Sequence, residues 1–255
     1  MTQVEYEKQG RVAILTLNRP EARNAVNGAL ARRMEEILDD YEADPDLWVA
    51  ILTANGSAFC AGADLKEISA GRGLELGTKR GGFGGIVMRE RTKPLIAAIA
   101  GSALAGGTEI ALSCDMIVCS NETLFGLPEV KRSLVAAAGG LFRLPRAIGM
   151  APALEAILTG DPLPAERAHQ LGMVNQVVPA SEVMQAARAL AARVVAAAPV
   201  AVQQSRGVAI RAFTDDDATL WRAGAKAFLE NAKTQDFQEG PRAFIEKRAP
   251  RWTGR

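Results

Sequence analysis

The chain has 255 residues, enough for one large domain or two small ones. Hydrophobic residues make up 48% and charged residues 23%, which excludes a disordered chain, a collagen-like repeat and a coiled-coil rod. Thirty Lys+Arg against 29 Asp+Glu leave a net charge of +1, and aromatics are 5%, so neither the basic excess nor the stacking surface of a general nucleic-acid binder is present.

Two strand-like runs open the chain: Val4–Glu7 alternates and Val12–Leu17 is rich in branched residues. Asn18-Arg19-Pro20 breaks the second run. The spacing of Leu30, Met34, Ile37 and Leu38 predicts a helix from about Gly28 to Tyr41, ended by Asp44-Pro45-Asp46. Trp48–Thr53 reads as a buried strand followed by the turn Asn55-Gly56-Ser57. The longest apolar run, Pro94 to Cys114, contains Gly101, Gly106, Gly107 and Glu109. It is therefore read as a buried strand–turn–helix unit rather than a membrane span, with a strand at Leu95–Ala100 and a short helix at Gly106–Leu112. Met116–Cys119 is a further buried strand. Strands alternating with helices predict an α/β core with parallel pairing.

From Gly139 onward the pattern turns helical, notably over Ala180–Ala198 and Asp215–Asn231. The expected organisation is a β-rich part, residues 1–199, followed by a helical part, residues 200–255. No clean repeat of about 20–50 residues is found. Ser69–Gly85 holds seven glycines in 17 residues and is expected to be a mobile lid or variable loop. Cys60, Cys114 and Cys119 are too few and odd in number for a disulfide scaffold, and MTQVEYEKQG lacks the apolar core of a secretory signal. Reduced thiols and a cytoplasmic location are expected.

Glu109 is the one charged residue between Pro94 and Cys114. A buried glutamate is rare without a partner, and desolvation raises its pKa toward the range useful for proton transfer. The bland alternative is an exposed carboxylate on an amphipathic helix. Gly106-Gly107 begins the same helix, where bare amides and the positive end of the helix dipole suit an anionic oxygen. A second loop of small residues, Phe59-Cys60-Ala61-Gly62-Ala63-Asp64, follows a buried strand, with Asp64 capping a turn that holds Leu65, Lys66 and Glu67. Glu129, after Pro128, is either a solvated loop acid or the second member of a carboxylate pair. The lone His169 lies in a polar helical context. No G-x-S-x-G motif accompanies it, and no His/Cys cluster has metal-ligand spacing.

Read together, Asn18-Arg19-Pro20-Glu21-Ala22-Arg23-Asn24-Ala25, Cys60-Ala61-Gly62-Ala63-Asp64-Leu65, Lys93-Pro94-Leu95-Ile96-Ala97-Ala98, Leu104-Ala105-Gly106-Gly107-Thr108-Glu109, Phe125-Gly126-Leu127-Pro128-Glu129, Gly139-Gly140 and Ala243-Phe244-Ile245-Glu246-Lys247-Arg248 span almost the whole chain. In these motifs the chain resembles the crotonase, or enoyl-CoA hydratase/isomerase, superfamily. The resemblance implies an α/β fold: a spiral of β-β-α units with a C-terminal helical trimerisation region, in a homotrimer or a dimer of trimers. It implies an acyl-CoA thioester substrate, with coenzyme A as part of that substrate, no separate cofactor and no metal. No nucleic-acid or membrane partner is expected. Ala63 and Gly106 take the two oxyanion-hole positions, and both carboxylate positions of the hydratases are filled, by Glu109 and Glu129. Ala61, Asp64, Leu65 and Lys66 would line the coenzyme A site, with Arg23 and Lys66 toward phosphates. Phe244 and Lys247 would reach the coenzyme A of a neighbouring subunit.

The resemblance therefore points to reversible hydration of a trans-2-enoyl-CoA. Alternatives are a double-bond isomerase, a carnitinyl-CoA-type dehydratase, a non-catalytic acyl-CoA-binding protein, or a helix–helix oligomerisation protein that would leave Glu109 without a role. Two departures bear on the substrate. Ala105 stands where many hydratases have glycine. Ser133-Leu134-Val135-Ala136-Ala137-Ala138-Gly139-Gly140 replaces the usual Gly-x-x-Pro-Gly-x-Gly-Gly near the expected acyl end.

Overall fold

In the computed structural model, which describes residues 2–255, the chain opens with an antiparallel hairpin. β1 (Val4–Gln9) and β2 (Val12–Leu17) pair from Val4 opposite Leu17 to Gln9 opposite Val12. α1 (Gly28–Ala43) begins where the Asn27 side chain accepts from the Leu30 amide, and it buries Leu30, Ala31, Met34, Ile37, Leu38 and Tyr41 on one stripe. Each fully buried side chain of this size contributes about 1.5–3 kcal/mol. The Tyr41 hydroxyl donates to the Pro94 carbonyl at 2.7 Å, which ties the helix to the next strand unit.

The core then repeats strand, strand, helix. β3 (Val49–Ala54) and β4 (Ala58–Cys60) lead to α2 (Leu65–Ser69). A small ribbon, β5 (Gly77–Thr78) and β6 (Gly82–Phe83), intervenes. β7 (Leu95–Ile99) and β8 (Ser102–Leu104) lead to α3 (Gly106–Ser113). β9 (Met116–Ser120), β10 (Leu124–Gly126) and a 3-10 turn at Pro128–Arg132 lead to α4 (Gly140–Ile148). There follow α5 (Met150–Thr159), β11 (Leu163–Pro164), α6 (Ala165–Gln170), β12 (Gln176–Val178) and α7 (Val183–Val195). The chain closes with α8 (Pro199–Ala209), α9 (Asp217–Asn231) and α10 (Gln235–Ile245).

The first strand of each unit joins a six-stranded sheet in the order β1-β2-β3-β7-β9-β12, and the second joins a four-stranded sheet in the order β11-β10-β8-β4. Within these two sheets all pairings are parallel except β1 with β2 and β10 with β11. Both faces of the centre of the long sheet are covered, which is why β2, β3, β7 and β9 are continuously apolar rather than alternating like β1. Ala50, Leu52, Leu95 and Ala97 face the main core. Val49, Ile51, Ile96, Ala98 and Val118 pack against Val183, Ala187, Leu190 and Ala191 of α7. The run from Pro94 to Cys114 is β7, β8 and α3, folded inside the protein. Among the described residues no single helix is long and apolar enough to cross a membrane.

Two expectations need adjustment. The strands end at Val178, and α4 to α7 already occupy much of residues 140–195, so the part before Pro199 is less β-rich than predicted. Pro199 is the first residue of α8, where its missing amide removes no helical hydrogen bond. The glycine-rich segment Ser69–Gly85 is no featureless loop. It holds a 3-10 turn at Gly73–Leu76 and the β5–β6 ribbon. Glu35 of α1 accepts from the Gly81 amide at 2.9 Å and from the Thr78 hydroxyl, and Arg80 reaches Asp39 at 2.5 Å.

Candidate active site

The second strands end at one side of the molecule, and the loops that leave them converge there. Gly62 has φ +94°, and a Cβ on it would lie 2.7 Å from the Ala105 Cβ and 3.1 Å from the Gly106 amide nitrogen. Only a glycine lets the turn after β4 approach the start of α3 this closely. Ala63 pairs with Val26 through the Gly62 carbonyl and the Asp64 amide, which leaves its own N–H without a protein acceptor among the described residues. Gly106 is the first residue of α3, so its N–H has no intrahelical acceptor. Two unpaired amides thus lie on loops that meet, and both residues line the same cleft. Ala105, which caps the helix, has φ +53° and ψ −128°, a strained backbone for a residue with a Cβ.

Asn24 ties the turn after β2 to the loop between β3 and β4. It is fully buried, donates to the Asn55 and Ala58 carbonyls at 2.8 Å each, and accepts from the Arg19 amide at 2.7 Å. Arg23 and Asn24 both adopt left-handed backbone, and the Arg23 carbonyl accepts from the Ala61 amide. Asp64 caps α2 through the Lys66 amide and receives Arg19 at 3.1 Å, so its side chain is engaged by the protein.

Glu109 lies in the first turn of α3 and is only 3% exposed. Its Oε1 accepts from the Gly140 amide at 2.9 Å. Burial pushes its carboxyl up to about 7, against the opposing pull of that hydrogen bond; nearby Glu129 adds to the rise, and Arg143 opposes it. A Cβ on Gly140 would lie 3.1 Å from the Glu109 Cγ and 2.9 Å from Leu127, so only glycine fits over the glutamate. Glu129 stands on the 3-10 turn after Pro128, half-buried, and one of its carboxylate oxygens is buried with no hydrogen-bond partner. Burial raises its pKa as well. Two carboxyl groups with raised pKa values, one held by an amide and one with an unpaired oxygen, are suited to holding a water and exchanging protons with it.

These groups line one cleft of about 1490 Å3, together with Arg23, Ala61, Ala63, Asp64, Leu65, Lys66 and Gly106. Nine of the eleven sequence-predicted site residues are therefore brought together. Phe244, 85% exposed, and Lys247 sit at the end of α10 and do not line the cleft of their own chain. Sequence reasoning missed Phe83, Val87, Met88 and Arg143 in the lining. A Cβ on Gly106 would lie 2.3 Å from the Phe83 ring, so this aromatic from the glycine-rich segment covers the start of α3. The only signal for it was an aromatic set among glycines. His169 is exposed and away from the cleft.

The enoyl-CoA hydratase/isomerase family profile matches residues 7–255. A short-chain-enoyl-CoA hydratase of Clostridium acetobutylicum is 39% identical over 252 residues, which is 97% of this chain and 96% of that protein. A carnitinyl-CoA dehydratase of Proteus mirabilis is 39% identical over 254 residues, 97% of each. The crystal structure of an enoyl-CoA hydratase from Mycobacterium tuberculosis superposes with a TM-score of 0.95 at 44% identity, covering 100% of both chains. The fold, with its three strand–strand–helix turns, and the paired carboxylates define a crotonase-type protein. The chain belongs to the enoyl-CoA hydratase/isomerase family.

Proposed function

We propose that this protein is an enoyl-CoA hydratase that adds water reversibly across the C2–C3 double bond of a trans-2-enoyl-CoA. The observation that carries the reading is buried Glu109, held by the Gly140 amide and sharing a cleft with Glu129 and the free amides of Ala63 and Gly106. An enoyl thioester is weakly electrophilic at C3 until its carbonyl oxygen is polarised. The Ala63 and Gly106 amides donate to that oxygen and stabilise the enolate-like charge as it develops; one such donor contributes about 3–4 kcal/mol.

Glu109 acts as the carboxylate base. It takes a proton from water as the water oxygen bonds to C3. Glu129, protonated, gives its proton to C2, and a proton returns from Glu109 to Glu129 by way of solvent. Burial raises both carboxyls, Glu109 up to about 7, so the pair keeps a proton near neutrality, and the Gly140 hydrogen bond favours the arrangement with the anion on Glu109 and the proton on Glu129. The two titrate as a pair. The same two groups run the reverse dehydration, and the similarity to carnitinyl-CoA dehydratases supports a 3-hydroxyacyl-CoA dehydratase as the second reading.

Arg23 and Lys66, exposed at the rim, suit the phosphates of coenzyme A. Trp221, 80% exposed, and Phe228, Leu229, Phe244 and Ile245 leave large apolar side chains uncovered on α9 and α10. They support a homotrimer or a dimer of trimers, in which Phe244 and Lys247 reach the coenzyme A of the next subunit. A cytoplasmic location completes the proposal. The test is product analysis in 18O-labelled water. A hydratase forms 3-hydroxyacyl-CoA two mass units heavier, whereas recovery of unlabelled 3-enoyl-CoA would identify an isomerase and refute the proposal.

A further inference from the structure

Arg143 lies in the first turn of α4, lines the cleft and forms no salt bridge among the described residues. Its two terminal nitrogens are instead divided between two segments. One donates to the Ala138 carbonyl at 3.2 Å, on the loop before α4. The other donates to the Val87 carbonyl at 2.6 Å, on the segment that follows Phe83. Gly139 leaves room for this crossing: it has φ +108°, and a Cβ there would lie 2.2 Å from the guanidinium. One residue further on, the Gly140 amide holds the Glu109 carboxylate. The guanidinium thus fastens the loop that grips Glu109 to the segment that roofs the cleft, and places a half-buried positive charge among these groups.

We propose that Arg143 is a positioning residue: its two-pronged hydrogen bonding fixes the 138–140 loop against the Val87 segment, and its charge keeps the Glu109 carboxylate available as an anion. This rests on the reading of Glu109 as the base. The balance of charges agrees. Glu109 is raised by burial and by Glu129, and is lowered by the Gly140 and Ala138 amides and by Arg143. The pKa of Arg143 is itself lowered by burial; Glu109 and Cys114 oppose this, and Arg91 and Arg146 reinforce it. The cation that acts on Glu129 is Arg132, on its own turn, whereas the one that acts on Glu109 is Arg143.

Two substitutions separate charge from geometry. Arg143→Gln removes the charge and keeps a donor. Arg143→Lys keeps the charge and loses the fork. The Glu109 carboxyl is titrated directly by 13C NMR, with its resonance assigned by its loss in Glu109→Gln, and hydrogen exchange is followed over residues 137–143. In Arg143→Gln the midpoint of Glu109 rises by roughly half a unit or more, and the acid limb of kcat/KM moves with it. In Arg143→Lys the midpoint stays near that of the wild type while the loop exchanges about tenfold faster. An unchanged midpoint in Arg143→Gln overturns the electrostatic role, and unchanged exchange in Arg143→Lys overturns the positional one. Should Arg143→Gln not fold, Arg143→Met takes its place in the titration of Glu109, and loop exchange in the lysine variant decides the fastening role on its own. Neither titration nor exchange depends on turnover. If the wild type hydrates no enoyl-CoA, the hydratase reading fails on its own while these readouts still decide what Arg143 does.

Discussion

Replacing Glu109 by glutamine should cost the protein its activity and gain it stability, in a pH-dependent way. The folded protein holds this carboxyl at about 7 against an ordinary 4.5, so folding favours the protonated form. The contribution of Glu109 to stability is therefore fully present below 4.5, declines as the pH rises through that interval, and is lost above 7. At 1.36 kcal/mol per unit the ceiling is ~3 kcal/mol. Glutamine is neutral throughout, and its side-chain oxygen still accepts from Gly140. Glu109→Gln should match the wild type near pH 4.5 and exceed it by about 2–3 kcal/mol at pH 8, read as denaturant midpoints at both pH values. Its turnover of crotonyl-CoA should fall by about 100- to 10,000-fold for loss of a general base. For the wild type, kcat/KM should climb with pH as Glu109 ionises and fall again where Glu129 loses the proton it gives to C2. A variant no more stable at pH 8 than at pH 5, relative to the wild type, would refute the reasoning.

Other expectations follow from single contacts. Gly106→Ala places a Cβ against Phe83 at 2.3 Å and shifts one oxyanion donor, so kcat should fall by about 100-fold or more with the fold retained by circular dichroism. Ala105→Gly relieves the strain at φ +53°, worth about 1–3 kcal/mol, against about 0.4–1 kcal/mol of added chain entropy. A net rise in the denaturant midpoint is expected, and a fall would show that the turn is not strained. Asn24→Ala leaves the Asn55 and Ala58 carbonyls unpaired and should destabilise the protein by about 2–4 kcal/mol in urea unfolding. A cost below about 0.5 kcal/mol would mean that the loop closes without this residue.

The sequence exposed the features that local chemistry makes visible. Glu109 stood out as one charge in an apolar run, and the run resolved into β7, β8 and α3 because Gly101 and Gly106-Gly107 interrupt it. The α1 stripe and the Asp64 cap were equally local, and the structure has both. The oxyanion role proposed for Ala63 came from family resemblance, since a backbone amide leaves no side-chain signature, whereas Gly106-Gly107 at a helix start already suggested a place for an anionic oxygen. The ribbon that carries Phe83 was hidden because two-residue strands have no periodicity, and because its anchors, Glu35 and Asp39, lie about forty residues earlier in α1. Arg143 was equally hidden: one of its partners is 56 residues away, at Val87. Phe244 and Lys247 do not line the cleft of their own chain, so their place at a coenzyme A site rests on the proposed trimer.

The most direct test of the two-carboxylate hydratase follows the loss of enoyl-thioester absorbance with crotonyl-CoA, and with longer 2-enoyl-CoAs, for the wild type beside Glu109→Gln and Glu129→Gln. The account predicts rapid loss by the wild type, cut by about 100-fold or more in each variant. A wild type inert toward every chain length, or a Glu109→Gln variant that keeps most of its rate, would contradict it.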